Sequence, residues 1–193
     1  MPKLILSSRD FRHPDSARCI VDHLPCRLAD CRVLFFPNEK ATSSRIANGV
    51  YQRRLTEFGF STGNIQVFDY FSPISAVSSP IDVIYISGGN TFGMMKLIRE
   101  SGADQLIPAL VRQGALYIGG SAGAHIASSS IAHVQTYDEN KSGLTDFSGL
   151  GLFQGILFCH YTSERYADYF HLRQTSAFPV TCLTDAESLV LES

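Results

Sequence analysis

The chain has 193 residues, of which 45% are hydrophobic, so it is long enough to bury one sizeable core. Its 16 Lys and Arg residues against 18 Asp and Glu residues give a net charge of −2, with a pI near 6.3. This balance creates no field that attracts a polyanion, so we expect no nucleic-acid partner and no membrane partner. We predict a single domain over residues 1–193.

The cysteines and the hydropathy predict a cytoplasmic protein. The 5 cysteines are odd in number and show no CxxC spacing, which favours a reducing compartment. The apolar start of the chain soon meets Arg9 and Asp10, so we expect no signal peptide. No later stretch approaches the ~18 apolar residues that a membrane-spanning helix needs.

Short apolar runs alternate with amphipathic segments along the chain. Runs rich in β-branched or aromatic residues and bounded by Gly, Pro or Asn are typical of strands buried on both faces. The predicted strands are residues 3–6, 32–36, 65–68, 81–86, 115–118, 155–158 and 180–183. The predicted helices are residues 43–58, 91–100 and 103–113, with loops at 69–80 and 138–149. This βαβα order predicts an α/β fold with a mostly parallel sheet and helices on both faces.

The sequence Gly-Gly-Ser-Ala-Gly at residues 119–123 carries the main chemical signal. It joins a predicted strand to a helix-forming run, and G-x-S-x-G at such a turn is typical of a serine nucleophile, because small neighbours permit the strained backbone. Ser121 would then begin a helix, with the Ala122 N–H group as an oxyanion donor. The alternative is a glycine-rich turn in which Ser121 only caps the helix.

A second glycine-rich turn, Ser-Gly-Gly-Asn-Thr-Phe at residues 87–92, also lies between a predicted strand and a predicted helix. If the two strands are neighbours, its N–H groups lie beside Ser121. Gly89, or alternatively Gly88, then supplies a second oxyanion donor. The competing interpretation is a nucleotide cradle, but the spacing is not G-x-G-x-x-G and no P-loop lysine follows.

A serine hydroxyl needs a base, and histidine is the side chain whose ordinary pKa suits that role near neutrality. Among the 6 histidines, His160 follows a predicted strand and opens a loop, at the sheet edge where functional groups collect. His125 lies one helical turn after Ser121, from where its ring cannot easily approach the hydroxyl. We therefore predict His160 as the base, and capping of the next helix is its alternative role.

A carboxylate would complete the unit by orienting the imidazole and stabilising the imidazolium. Asp185 follows the last predicted strand and is the first candidate. Glu187 and Asp138 are rivals, and each of the three also fits a solvated loop charge.

Taken together, these segments resemble the S51 serine peptidases, the family of peptidase E (aspartyl dipeptidase) and cyanophycinase. The matching segments are residues 87–92, 120–124, 159–161 and 183–189, within a likeness that spans about residues 30–190. The resemblance implies a flavodoxin-like or class I glutamine amidotransferase-like scaffold that needs no metal and no cofactor. It places Ser121 on the family's nucleophile and His160 on its base. The acidic member, usually Glu, falls on Asp185, with Glu187 still open.

The same resemblance implies a serine exopeptidase or dipeptidase that acts on small peptides through an acyl-enzyme, as a monomer or homodimer. Cleavage after an N-terminal Asp would need a cation, for which Arg165 and Arg173 are candidates. Asn90 and Thr91 are further substrate-binding candidates. The printed sequence stops at residue 193 without the closing strands expected from the longer peptidase E, which leaves the substrate preference open. The alternatives are a catalytically silent flavodoxin-like binding module and an amidotransferase-like hydrolase.

Overall fold

A six-stranded sheet and a two-stranded sheet organise the structure. The computed structural model describes residues 3–78 and 80–192. The strands are β1 (Lys3–Ser7), β2 (Val33–Phe36), β3 (Ile65–Val67), β4 (Val83–Ile86), β5 (Leu116–Gly120), β6 (Ile156–Phe158), β7 (Val180–Cys182) and β8 (Ser188–Glu192). The α-helices are α1 (Pro14–Asp22), α2 (Ser43–Ala47), α3 (Val50–Phe58), α4 (Thr91–Glu100), α5 (Ala103–Arg112), α6 (Ala122–Ala127) and α7 (Tyr166–Thr175).

The large sheet has the strand order β3-β2-β4-β5-β1-β8, and all its pairs are parallel except β1 with β8. Strands β2, β4 and β5 are buried along their whole length, as their continuous apolar sequences predict. The predicted mostly parallel α/β fold is therefore confirmed. Because β4 and β5 are neighbours, the two glycine-rich turns that follow them meet at one edge of the sheet.

The expectation that the printed sequence ends without a closing strand is wrong. Residues 188–192 form β8, which pairs antiparallel with β1 and places Lys3 opposite Glu192. The side chains of Leu189, Val190 and Leu191 are partly buried against the core. A short, half-covered edge strand lacks the long apolar run of a central strand, which is why the sequence pattern did not identify it.

Strands β6 and β7 pair parallel in the separate two-stranded sheet, with Ile156 opposite Val180. The hydroxyl of Ser8, directly after β1, connects this sheet to the large one. It donates a hydrogen bond to the carbonyl oxygen of Leu183 at 3.0 Å and accepts one from the N–H group of His160, also at 3.0 Å. This bridge fixes where the end of β6 lies relative to the end of β1.

The predicted helix over residues 43–58 is two helices in the structure. Gly49 has a φ of +69°, a left-handed conformation that ends α2 and starts α3. The predicted loop at 69–80 contains one short 3-10 turn, Ile74–Ala76, and its residue 79 lies outside the described residues. No helix in the described part of the chain is long and apolar enough to cross a membrane.

We predict that Ser8→Ala destabilises the fold by about 2 kcal/mol, because it leaves the His160 N–H group and the Leu183 carbonyl without their shared partner. Ser16→Ala is the matched control. Ser16 is as completely buried as Ser8, but its hydroxyl has no hydrogen-bond partner in the described residues. Its loss should change stability by less than about 0.5 kcal/mol. Urea unfolding of both variants gives the comparison, and equal losses would contradict the bridging role.

Candidate active site

Ser121 lies in a strained turn between β5 and α6. Its φ is +51°, which is unusual for a residue other than glycine, and its N–H group donates to the carbonyl oxygen of Ser7 at 2.8 Å. The neighbouring glycines have no room for a side chain. A Cβ at Gly120 would overlap the carboxylate of Asp10, and one at Gly123 would overlap the carbonyl of Ile86. The requirement for small residues around Ser121 is therefore a packing requirement of this turn.

The Ser121 hydroxyl, the His160 ring and the Asp185 carboxylate form one hydrogen-bonded chain. The Oγ of Ser121 lies 2.9 Å from Nε2 of His160, and Nδ1 of His160 lies 2.6 Å from Oδ1 of Asp185. With the ring proton on Nδ1, His160 donates to Asp185 and accepts from Ser121. The three side chains come from three separate segments, and this is the arrangement of a nucleophile, a base and an orienting carboxylate.

The environment of Asp185 keeps its carboxylate charged. Partial burial raises the pKa of the Asp185 carboxyl, but hydrogen bonds from His160 and Arg9 outweigh this effect and hold that pKa below its ordinary value. Arg9 donates from Nε to Oδ2 of Asp185 at 2.8 Å. The carboxylate is thus held from both sides, with one oxygen on the imidazole and the other on a guanidinium.

The two rival carboxylates lie in other contacts. Glu187 accepts a hydrogen bond from the N–H group of Thr184 at 2.7 Å and closes a tight turn. Asp138 accepts one from the N–H group of Thr91 at 2.9 Å, at the start of α4. In residues 3–78 and 80–192, Asp185 is the one of the three candidate carboxylates that contacts the His160 ring.

Three N–H groups near Ser121 donate no hydrogen bond within the described residues: those of Gly88, Gly89 and Ala122. In the turn at residues 87–92, Gly88 lies next to Ser121, since a Cβ built on Gly88 would lie 3.3 Å from the Cβ of Ser121. Gly89 faces Glu39 and Met94 instead. The two turns therefore bring unoccupied donors to the nucleophile, as an oxyanion site needs.

The polar side-chain atoms of Asn90 and Thr91, two predicted substrate-binding residues, make contacts within the protein. The Asn90 side chain caps α4 by accepting from the N–H group of Gly93, and it donates to the carbonyl of Glu139. Thr91 is 1% exposed, and its hydroxyl lies 3.4 Å from Nδ1 of His125. Both residues thus stabilise the turn, and Asn90 also borders the cavity described below.

His125 is buried behind the site, in agreement with its exclusion as the base. Its Nε2 lies 3.1 Å from the hydroxyl of Tyr137, and its Nδ1 faces Thr91. Burial holds the pKa of His125 well below its ordinary value, so the ring is neutral. His125 therefore supports α4 and α6 from within the core.

The two arginines predicted to bind a substrate carboxylate have different surroundings. Arg165 donates to the carbonyl oxygens of Cys159 and His160, and its guanidinium stacks 4.3 Å from the ring centre of Phe158. It holds the backbone at His160 from the protein side. Arg173 is exposed on α7, and no contact among the described residues joins it to Ser121 or His160.

Arg12 is a cation beside Gly88 in the turn next to Ser121, and it is not among the residues predicted from the sequence. A Cβ built on Gly88 would come within 2.9 Å of the Arg12 guanidinium. Asp10, which is fully buried, fixes this group through contacts of 2.9 Å to Nε and 3.2 Å to a terminal nitrogen. The signal that could have found Arg12 is its position just after β1, whose carboxyl end belongs to the same sheet edge.

The described residues contain no group of three or more His, Cys, Asp and Glu side chains arranged to hold a metal ion. A cavity of about 560 Å³ adjoins the turn at Asn90 and is bordered by Glu39, α4 and residues 139–142.

The chain is similar to known proteins over nearly its whole length. The family model described as peptidase family S51 matches residues 4–193. The chain is 40% identical over 89 residues to an uncharacterized peptidase of Listeria monocytogenes. The aligned region covers 45% of this chain and 43% of that protein. The chain is also 36% identical over 110 residues to peptidase E of Escherichia coli O6:K15:H31. This aligned region covers 56% of this chain and 45% of that protein. Each alignment thus spans less than half of the relative's own length.

Solved structures show the same fold. A crystal structure from Listeria monocytogenes EGD-e, provisionally named a peptidase E protein, has a TM-score of 0.74 and 25% identity, and covers 99% of this chain and 94% of that one. A peptidase from an acI-B1 actinobacterium has a TM-score of 0.59 and 13% identity, and the match covers 99% of this chain and 83% of that one. The second likeness is one of fold alone.

We predict that Asp185→Asn slows the labelling of Ser121 by a fluorophosphonate about 100-fold or more, because the amide no longer fixes the imidazole tautomer. Glu187→Gln should stay within about twofold of the unmodified protein, since a glutamine oxygen still accepts from Thr184. The second-order labelling rates of the two variants, followed by mass spectrometry, give the comparison. The reverse order of effects would transfer the acidic role to Glu187.

Proposed function

The chain belongs to peptidase family S51, and on that premise we propose that it is a serine peptidase that hydrolyses small peptides. The observation that carries the proposal is the chain of hydrogen bonds from Ser121 through His160 to Asp185, at 2.9 and 2.6 Å. A hydroxyl within hydrogen-bond reach of a base, which a carboxylate orients in turn, is the arrangement for nucleophilic attack on a carbonyl.

In the proposed mechanism, the Oγ of Ser121 attacks the scissile carbonyl carbon while its proton passes to Nε2 of His160. The charge of Asp185 stabilises the resulting imidazolium. The N–H groups of Ala122 and of Gly89, or Gly88, hold the oxyanion. Collapse of the tetrahedral intermediate breaks the C–N bond, and His160 returns the proton to the leaving amine.

The second half of the reaction uses the same groups. Water replaces the departed amine, His160 takes a proton from it, and the oxygen attacks the ester that joins the acyl group to Ser121. The acid product leaves, and the proton returns to Ser121. Each proton transfer passes through one ring nitrogen of His160, whose other nitrogen remains on Asp185.

We predict that Ser121→Ala lowers kcat for dipeptide hydrolysis by at least about 1000-fold, because within the described residues no other hydroxyl contacts Nε2 of His160. The thermal unfolding midpoint should stay within a few degrees of that of the unmodified protein. Ser16→Ala, a buried serine in α1, serves as the control and should retain activity. A Ser121→Ala protein that keeps most of its activity would remove the acyl-enzyme from the mechanism.

The alternative of a catalytically silent binding module makes the opposite prediction. Such a module would leave Ser121 unlabelled by a fluorophosphonate and would hydrolyse no dipeptide. An amidotransferase-like hydrolase would instead release ammonia from glutamine. No contact among the residues that the structure describes favours either alternative over the peptidase.

We further propose dipeptides with an N-terminal Asp as substrates, with Arg12 rather than Arg165 or Arg173 as the cation for the side-chain carboxylate. The Arg12 guanidinium lies beside Gly88, a residue of the turn next to Ser121. The Arg12 side chain is 35% exposed. Its contacts with Asp10 fix the orientation of the guanidinium without covering it. A planar guanidinium in a fixed position suits recognition of a carboxylate by two parallel hydrogen bonds.

We predict that Arg12→Lys lowers the preference for Asp-Leu over Ala-Leu, measured as the ratio of kcat/KM values, by about tenfold. Lysine keeps a positive charge next to the buried Asp10, but its single ammonium group cannot form the two parallel hydrogen bonds of a guanidinium with a carboxylate. Arg173→Gln is the control and should leave the ratio unchanged. A ratio that drops with Arg173→Gln and not with Arg12→Lys would assign carboxylate binding to Arg173 on α7.

A further inference from the structure

Glu39 is a carboxylate on the opposite side of the Gly88–Gly89 turn from Arg12. It follows β2, whose neighbour β4 leads into that turn. Its Oε2 accepts a hydrogen bond from the N–H group of Asn90 at 2.9 Å, and a Cβ built on Gly89 would lie 2.5 Å from the same oxygen. Within the described residues, its second oxygen has no hydrogen-bond partner. Glu39 therefore presents part of a charged group beside the proposed oxyanion site.

Glu39 also borders the cavity of about 560 Å³ that adjoins this turn, and its ion pairing differs from that of the other carboxylates there. Glu139 pairs with Lys141 at 3.1 Å, and Glu100 faces Lys96 at 3.9 Å. In residues 3–78 and 80–192, no lysine or arginine pairs with Glu39. The cavity lining also includes Lys40, Lys96 and Lys141, so Glu39 differs from the other two carboxylates by forming no salt bridge within the described residues.

We propose that Glu39 binds the protonated α-amino group of the substrate, which makes the protein specific for a free N-terminus. This inference rests on the proposed peptidase function and names a specificity residue for it. In a residue whose carbonyl is attacked, the amino nitrogen lies about 2.5 Å from the carbonyl carbon. A carbonyl placed between Ser121 and the Gly88–Gly89 turn therefore brings its amino group towards the carboxylate that contacts Gly89.

The charges on the two sides of the turn fit this orientation of the substrate. An N-terminal Asp residue has one anionic and one cationic group, the side-chain carboxylate and the α-ammonium. Arg12 adjoins Gly88, and Glu39 adjoins Gly89. Both charges of such a residue would thus meet an opposite charge, whereas a blocked N-terminus would leave the Glu39 carboxylate without a cation.

The competing role for Glu39 is purely structural, as the acceptor that satisfies the Asn90 N–H group. Glu39→Gln separates the two roles, because the amide oxygen still accepts from Asn90 while the negative charge is lost. The protein should therefore fold and still be labelled at Ser121 by a fluorophosphonate. Glu100→Gln is the matched control, since Glu100 borders the same cavity, is 61% exposed and contacts Lys96 instead of the turn.

The test is the ratio of kcat/KM for Asp-Leu to that for N-acetyl-Asp-Leu, repeated with Ala-Leu and its acetylated form. A charge-assisted hydrogen bond corresponds to a factor of roughly 10–100, so Glu39→Gln should lower this ratio by about that factor. Glu100→Gln should leave the ratio within about twofold. An unmodified protein that cleaves free and acetylated peptides equally well would overturn the proposal, as would a Glu39→Gln protein that loses both activities in parallel. If the unmodified protein cleaves neither, the peptidase function fails as well.

Discussion

The end of β1 holds both halves of the candidate catalytic unit. The carbonyl oxygen of Ser7 accepts the N–H group of Ser121 at 2.8 Å, and the hydroxyl of Ser8 accepts the N–H group of His160 at 3.0 Å. Two consecutive residues therefore fix the backbones of the nucleophile and of the base, although these belong to different sheets. Arg9 then reaches Asp185, and Arg12 reaches Gly88. The segment from residue 7 to residue 12 sets the relative positions of everything that meets at Ser121.

This arrangement depends on backbone strain that is concentrated in one place. Among the described residues, the non-glycine residues with positive φ are Asp10, Ser121 and His160, and all three belong to the site. Each such conformation costs about 1–3 kcal/mol. The N–H groups of Ser121 and His160 donate hydrogen bonds to Ser7 and Ser8, and these bonds offset the cost at Ser121 and His160. The ion pair with Arg12 offsets the cost at Asp10. Local strain and long-range hydrogen bonds thus act together to hold reactive groups in conformations that the chain would otherwise avoid.

Local patterns predicted the parts of the fold and of the site that local physics determines. The central strands are continuous apolar runs, and the small residues around Ser121 reflect a turn that excludes side chains. The position of His160 after a predicted strand was sufficient to propose its contact with Ser121, which the structure shows at 2.9 Å. The edge strand β8 and the break at Gly49 were missed because a half-covered edge and a single left-handed residue leave weak signals in sequence.

The choice between Asp185 and Glu187 could not be made from sequence, since both lie in one short segment and either is chemically suitable. Their roles diverge only because Ser8, 175 residues away from Leu183 along the chain, docks the small sheet in one position. Arg12 and Glu39 were missed for a similar reason. Each follows a different strand, and only the strand order β2-β4-β5-β1 brings them to the two sides of one turn. Long-range pairing is the information that periodicity and motifs lack.

The position of Glu39 has a consequence for the transition state as well as for binding. A carboxylate near the Gly88–Gly89 turn repels the negative charge that develops on the carbonyl oxygen, and this repulsion is strongest when the carboxylate has no cation. In the proposed complex, a free α-ammonium supplies that cation and removes the repulsion as the oxyanion forms. A substrate with a blocked N-terminus would lose a binding contact and also meet an unscreened charge in the transition state. The discrimination would then appear in kcat as well as in KM, because the same carboxylate attracts one substrate and opposes the reaction of the other.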